Sequence, residues 1–284
     1  MSAERYLQRV AACRGIDPTS FEPWFVGERR AGRVHRDHVP ELLAGPPFRR
    51  AAGRLTLDAP PEHRTRALAD VVARLAAAGR IRPLTGEPYP VLADASPPFT
   101  IDRAGVPWFG VHAFGVHGNG FVRTASGLEV WVATRARGKS TFAGHLDNLV
   151  AGGIAAGLDA VTTLRKECRE EADVPAELAA RAVAVGRIDY VHADGSSLKD
   201  DTLFCFDLEL PPEFEPRPVD GEVERFDRWP AAVVAASLRG DALWKPNCAL
   251  VALHFLLRHG CLDDELDRAS RDRVWQALHA PAWR

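Results

Sequence analysis

The sequence predicts an α/β protein built from an N-terminal α+β unit (residues 1–105) and a larger α/β domain (residues 106–284) that ends in a charged helical tail. Three observations predict it. Apolar Leu149-Val150-Ala151 runs into Gly152-Gly153 and then a helix-forming stretch up to Val174, a strand, loop and helix in succession. Segments rich in β-branched and aromatic residues, alternating in polarity, flank that unit on both sides. Prolines from Pro83 to Pro107, Pro97 among them, punctuate the chain and mark a boundary near residue 105.

The elements follow in order. Residues 3–14 carry Tyr6, Leu7, Val10 and Ala11 on one face, which predicts a first helix closing at Gly15. The aromatic segment Phe21–Gly27 and the short Leu55–Leu57 read as strands, with Trp24 and Phe25 expected in the core because aromatic rings bury large apolar areas. Between residues 62 and 79, Leu68, Val71, Val72, Leu75 and Ala76 recur at helical spacing and Gly79 supplies the stop. Residues 121–124 and 129–135 read as strands joined across a Ser-Gly turn. Further on, residues 182–191 and 201–210 alternate as two strands separated by a polar loop, 192–200. Residues 230–238 and 247–259 predict two helices, the second buried and closing at Gly260, and the tail from Asp263 is expected to be helical and peripheral.

On the helix after Gly153, Glu167, Glu170 and Glu171 stand at i, i+3 and i+4, which stacks three carboxylates on one face. Each like-charge pair costs an isolated helix roughly 0.2–0.5 kcal/mol, so the cluster points to a compensating cation. A hard divalent ion suits oxygen ligands of this kind. The opposite face carries Val161, Leu164, Cys168 and Ala172, an apolar stripe that can dock on a sheet. The bland alternative for the glutamates is a solvated acidic face; the double glycine before them counts against it.

Gly153, Lys166-Glu167, Cys168, Glu170-Glu171 and Val174 fill successive places of the Nudix box, and the stretch resembles that signature of hydrolases acting on a diphosphate linked to a further group. The loop is one residue shorter than the usual box and lacks its glutamate, with Asp159 nearby. Lys166 stands for an arginine, keeping the charge but not the planar fork. Asp173 stands for the terminal glycine, a place Asp tolerates because it visits left-handed backbone more readily than most residues. These departures are similar to the pattern of the thiamine-pyrophosphokinase-related Nudix subgroup. The resemblance extends through Phe109–His112, His117–Val122, Leu146–Gly153, Asp220–Phe226 and Lys245–Val251.

The resemblance implies an α/β/α sandwich and hydrolysis of a phosphoanhydride in a small-molecule diphosphate, with thiamine diphosphate or its oxidised oxo- and oxy-analogues as substrate. It implies Mg²⁺ or Mn²⁺ held by Glu167, Glu170, Glu171 and the Gly152 carbonyl, with Glu170 and Glu171 central to catalysis. Glu222 is expected as a further ligand or the general base, with Glu224 in reserve. Arg135, at the end of the strand before the box, is expected to meet substrate phosphate through its guanidinium fork, with Lys139 and Lys245 as alternatives. His112 and His117 read as structural. Trp24, Trp108 and Trp131 could offer an aromatic face to a heterocycle, although core positions suit them better.

Composition sets the remaining bounds. Hydrophobic residues make up 46% and charged residues 26% of the 284 positions, ordinary for a globular enzyme. A net charge of −2 without a basic stripe argues against nucleic acid as a partner. Five cysteines without a C-x-x-C pair indicate neither a disulfide framework nor a zinc site. No apolar run resembles a signal segment or reaches the ~20 residues of a membrane span. The expectation is a cytoplasmic protein with no membrane partner; a homodimer is compatible with it. An isoprenoid-diphosphate isomerase needs a cysteine before the glycine loop, and residues 147–151 have none. A P-loop kinase is disfavoured because Gly138-Lys139-Ser140 lacks the earlier glycine. The rival that stands is a catalytically weak Nudix module that binds a nucleotide or a partner protein, favoured by the missing loop glutamate and opposed by the three helix carboxylates.

Overall fold

A computed structural model describes residues 3–92, 95, 98–139 and 141–281, so Pro97 and Ser140 lie outside the described residues. The chain opens with helix α1 (Glu4–Ala12), then strands β1 (Phe21–Val26) and β2 (Arg29–His35), helix α2 (Val39–Leu43), and strands β3 (Phe48–Ala51) and β4 (Arg54–Leu57). Helix α3 (Arg64–Ala77), the ribbon β5 (Pro88–Val91) and β6 (Phe99–Asp102), and the short α4 (Val106–Phe109) complete the first unit. Its four-stranded sheet runs β2-β1-β4-β3, with β1 and β4 parallel. Gly27, at φ 58°, makes the β1–β2 turn in a conformation that favours glycine.

The predicted stripe of α3 is present: Leu68, Val71, Val72 and Leu75 are buried. They share one apolar cluster with Trp24, Leu55, Tyr89, Trp108 and Phe109. Trp24 is fully buried and its indole N–H donates to the Phe109 carbonyl at 2.8 Å. This core continues past residue 105 to Val111 and Ala113.

The second part is built on β7 (His112–Thr124), β8 (Gly127–Arg135), β9 (Leu146–Asp147), β10 (Val150–Gly153), β11 (Val183–Asp194), β12 (Ser197–Glu209) and β13 (Val223–Pro230). Its helices are α5 (Ala160–Ala172), α6 (Ala176–Ala179), α7 (Ala231–Arg239), α8 (Pro246–Arg258) and α9 (Arg268–His279). The main path of the sheet is β11-β12-β7-β8-β13, with β12 parallel to β7 from Asp200 opposite His112 to Glu209 opposite Phe121. On the other edge of β7, Gly115–Gly118 pairs with β10 and Phe121–Thr124 with β8.

Strand alternation sorts side chains to the two faces. Val130, Val132, Leu203 and Cys205 join the cluster of α7 and α8, whereas their neighbours Trp131, Phe206 and Leu208 join that of α5. Helices therefore cover both faces, and the α/β/α sandwich follows from the period of the strands.

Several elements differ from the sequence expectation. Helix α1 packs not on the first unit but on α7, α8 and α9: Tyr6, Val10 and Cys13 lie in their cluster, and Arg9 donates to the Leu238 carbonyl at 2.9 Å. The expected loop 192–200 is mostly strand, because β11 and β12 pair as far as Asp194 and Ser197 around Gly195. In α5, Val161 is 46% exposed, and Thr163 and Glu171 are buried with Leu164, Cys168 and Ala172. The C-terminal helix is part of the core, since Val274 and Leu278 are fully buried. Among the described residues no helix is long and apolar enough to cross a membrane.

Candidate active site

The site forms where β10 meets α5. Asp159 caps α5, its side chain accepting the Thr162 N–H at 2.7 Å, and Asp173 ends the helix at φ 52°. Both aspartates thus serve the helix termini. Gly152 lets α5 approach closely: a Cβ there would overlap the Glu167 carboxylate and lie 2.5 Å from Glu167 Cγ. Gly153 is likewise pressed by the hydroxyl of Tyr89, from the β5–β6 ribbon of the first unit, so the ribbon seals the end of β10.

Glu171 is 7% exposed, and its Oε2 accepts the Ala151 N–H at 2.9 Å. Burial, Asp147 and Glu167 push its carboxyl well above the usual range. Burial also raises Glu167, against the pull of Lys166. Glu171, Asp220 and Glu222 bring carboxylate oxygens within 4.8 Å of one another. Glu222 pairs with Lys139 at 2.7 Å. Its burial favours the neutral acid, but Lys139, Arg103 and Arg135 outweigh that and hold the carboxyl below its ordinary value.

Glu170 lies outside that trio and pairs with Lys166 at 2.8 Å and Arg169 at 3.7 Å. Lys166 also reaches Glu167 at 3.3 Å, so one cation bridges two of the three helix carboxylates. Glu224 is paired outward, with Arg137 at 3.6 Å and Arg225 at 3.8 Å. The ligand atoms around Glu171 in this trio are all oxygens, and Glu171 itself is a buried carboxylate that among the described residues accepts the Ala151 N–H. Such a set fits a hard divalent cation.

Beside it lies a buried polar network. Arg135 donates to Asp147 at 2.9 Å and to the Thr141 carbonyl at 3.3 Å, and Lys245 reaches the same Asp147 oxygen at 3.3 Å. Burial would raise Asp147, but Lys245 and Arg135 hold it down to about 2. The Cys248 thiol donates to Asp147 at 2.6 Å, and the His117 ring bonds Asn148 at 2.9 Å. His117, Asp147 and Cys248 lie within 4.8 Å of one another, yet two cations already neutralise Asp147 and burial keeps the thiol protonated. His112 is held by Asp200 at 3.0 Å and Thr202 at 3.2 Å.

A cavity of about 620 Å³ opens between the two units. Arg135, Lys139, Gly152, Glu222, Lys245 and Trp108 line it, all of them singled out in the sequence. Arg82, Tyr89 and Arg103 from the first unit and Lys199 and Asp201 from β12 line it as well, and sequence reasoning missed these. Nothing local marks them; only the packing of the two units brings them together. Asp220 had a signal, the Asp-Gly turn in which it accepts the Glu222 N–H at 2.8 Å. Trp24 and Trp131 are core residues, while Trp108 stacks on His38 at 4.4 Å.

An α/β/α sandwich that sets helix carboxylates against a glycine pair, beside a cation-lined cavity, defines a hydrolase of the Nudix class. Residues 119–245 match the NUDIX domain, and residues 5–113 match a domain of unknown function, DUF4743. The chain is 38% identical over 277 residues to the chloroplastic Nudix hydrolase 20 of Arabidopsis thaliana, covering 92% of this chain and 74% of that protein. It is also 38% identical over 270 residues to the chloroplastic Nudix hydrolase 24 of the same plant, with coverage of 92% and 74%. The Nudix domain of Shewanella oneidensis NrtR complexed with ADP ribose aligns at a TM-score of 0.42 and 14% identity, over 53% of this chain and 90% of its own. The chain belongs to the Nudix hydrolase family, and its activity is cleavage of a phosphoanhydride.

Proposed function

We propose that this Nudix hydrolase acts on thiamine diphosphate or its oxidised oxo- and oxy-analogues, with Mg²⁺ or Mn²⁺, and releases the monophosphate. The observation that carries the reading is the cavity: Glu222 and Asp201 meet cations in a space of about 620 Å³, room for a heterocycle as well as a diphosphate, and its wall includes Gly152, against which Glu167 is pressed. The choice of thiamine rests on the five segments outside the box that resemble the thiamine-related subgroup.

Glu167, Glu171 and the Gly152 carbonyl would hold the metal, joined by Glu170 once Lys166 gives way. Bound there, a divalent ion supplies charge neutralisation at the phosphate oxygens and a more acidic water. Glu222, kept ionised by Lys139, accepts the proton of the attacking water. The water oxygen bonds one phosphorus, and the bridging oxygen leaves with the other fragment. Arg135 and Lys139 orient the phosphates, Arg135 from a position fixed by Asp147.

The division of the chain near residue 105 and a cytoplasmic location belong to the same proposal. A weak module that binds a nucleotide or a partner protein is the second reading, favoured by the commitment of Asp159 to capping rather than to the site. Hydrolysis in ¹⁸O-labelled water separates the two. With thiamine diphosphate or its oxo-analogue and Mg²⁺ or Mn²⁺, the label is expected in one phosphate product, with nucleoside diphosphates and ADP-ribose as controls. No labelled phosphate from any of these compounds would leave the binding module as the better account.

A further inference from the structure

We propose that Lys199 of β12 and Arg82 of the first unit form an anion clamp for the terminal phosphate of the substrate, so that the catalytic cavity is completed by both units. The clamp rests on the hydrolase reading only for naming the anion a phosphate.

Both side chains line the cavity that holds Gly152 and Glu222. The other cations on its wall are committed to carboxylates: Arg80 to Glu41 at 3.3 Å, Arg103 to Glu87 at 2.8 Å, Lys139 to Glu222 at 2.7 Å, and Arg135 and Lys245 to Asp147. Arg82 and Lys199 have no carboxylate within 4.0 Å among the described residues. Arg82, solvent-exposed, donates to the Arg103 carbonyl at 3.4 Å, and Lys199, partly buried, lies 5.2 Å from the centre of the Phe142 ring.

Like charges meet here. Burial lowers the Lys199 ammonium, and Lys245 and Arg82 add repulsion; Arg82 in turn lies beside Arg103 at the exposed rim of the cavity. Asp201 on the same wall attracts Lys199 without forming an ion pair, and burial pushes its own carboxyl up to about 6. Lys199 is partly withdrawn from water with no ion pair among the described residues to offset it, an anion that pairs with it offsets that cost, and Arg82 reaches the same cavity from its exposed rim. A guanidinium fork and an ammonium lining one cavity suit the oxygens of a phosphate. Lys199 and Arg82 come from different units, so neither unit alone can close the clamp.

The test uses the full chain in EDTA, with inorganic pyrophosphate as the probe and calorimetry as the readout. Lys199→Gln is expected to weaken binding by ~10-fold or more, as for loss of a charge-assisted hydrogen bond, and Arg82→Gln by somewhat less. Arg66→Gln, an exposed change on α3, should leave affinity unchanged. A double Arg82→Gln/Lys199→Gln variant that binds as tightly as the wild type overturns the proposal, and so does a wild type that binds no pyrophosphate. Independently of any variant, pyrophosphate should protect Lys199 of the wild type from acetylation, read by mass spectrometry against Lys166; equal labelling with and without the anion counts against the clamp. The two readings fail separately. Pyrophosphate affinity lost in the variants upholds the clamp even if no compound is hydrolysed, whereas hydrolysis with an unchanged KM in the double variant overturns it and leaves the hydrolase standing.

Discussion

Replacing Glu171 by Gln should stabilise the metal-free protein while removing its activity. The Glu171 carboxylate is 7% exposed, and Asp147 and Glu167 are the charges that add to its desolvation. A buried carboxylate so poorly compensated costs on the order of several kcal/mol. The folded-state pKa lies above the unfolded one, so the folded chain binds more protons across that interval and metal-free stability declines as pH rises through it. Gln keeps the shape, and its Oε1 can still accept the Ala151 N–H. Each ~1 kcal/mol recovered raises Tm by roughly 2–4 °C in chains of about this size. A ligand that binds only the folded state raises Tm further, and only the wild type should gain from it. Thermal unfolding in EDTA and in Mg²⁺, with turnover on the substrate identified by isotope labelling, reads all of this. The expectation is a higher Tm for the variant in EDTA, no Mg²⁺-dependent gain, and a loss of ~10²-fold or more in kcat. A variant that melts earlier than the wild type in EDTA, or gains as much from Mg²⁺, would refute the reasoning.

The other predictions are simpler. Gly152→Ala places a methyl in the Glu167 carboxylate, and a displacement of about 1 Å at such a site costs ~10²-fold in kcat; unchanged turnover would show that Glu167 is free to move without consequence. Asp207→Asn breaks a buried pair in which Arg258 reaches both carboxylate oxygens at 2.8 Å and His259 one at 2.8 Å. A loss of ~3–5 kcal/mol is expected from urea unfolding, and less than ~1 kcal/mol would make the pair ornamental. Burial, Arg258 and His279 hold the buried His254 down to about 3, against 6.5 ordinarily. The unfolded chain therefore binds the extra proton as pH falls below about 6.5, and stability drops towards pH 3. His254→Leu should flatten that slope between pH 7 and 4.5, and an unaltered slope would assign it to other groups.

The box was legible because its parts are contiguous: the glycine pair, the i, i+3 and i+4 glutamates and the left-handed Asp173 each act within a few residues, whereas Asp159, noted only as lying near the missing loop glutamate, proved to be the N-cap. Periodicity also located α3, α7 and α8, whose apolar faces repeat along one element. It could not say which core an apolar face would join, so α1, read as part of the first unit, lies with the last helices. The polar stretch 192–200 looked like a loop because propensity is local, whereas continuous pairing of β11 with β12 overrides it. Val161 shows the limit of a wheel at a helix entrance. Thr163 turns inward instead, its hydroxyl bonding the Asp159 carbonyl at 2.8 Å, and Val161 is left outside. The clamp cations were invisible for the same reason as α1: convergence across two units has no spacing in the sequence.

The placement of α1 bears on how the chain is made. Tyr6 bonds Glu265, Arg9 bonds the Leu238, Gly240 and Ala242 carbonyls, and Arg14 bonds the Leu278 carbonyl. A helix of this length forms in about a microsecond, but the Tyr6 partner is 259 residues away. At 5–20 residues per second the ribosome takes roughly 13–52 s to supply it. Throughout that interval the apolar face of α1 is exposed to whatever else is in reach, including a chaperone or a neighbouring nascent chain. Synthesis of the last helices, rather than the intrinsic speed of helix formation, therefore sets when the layer on that face of the sheet can close.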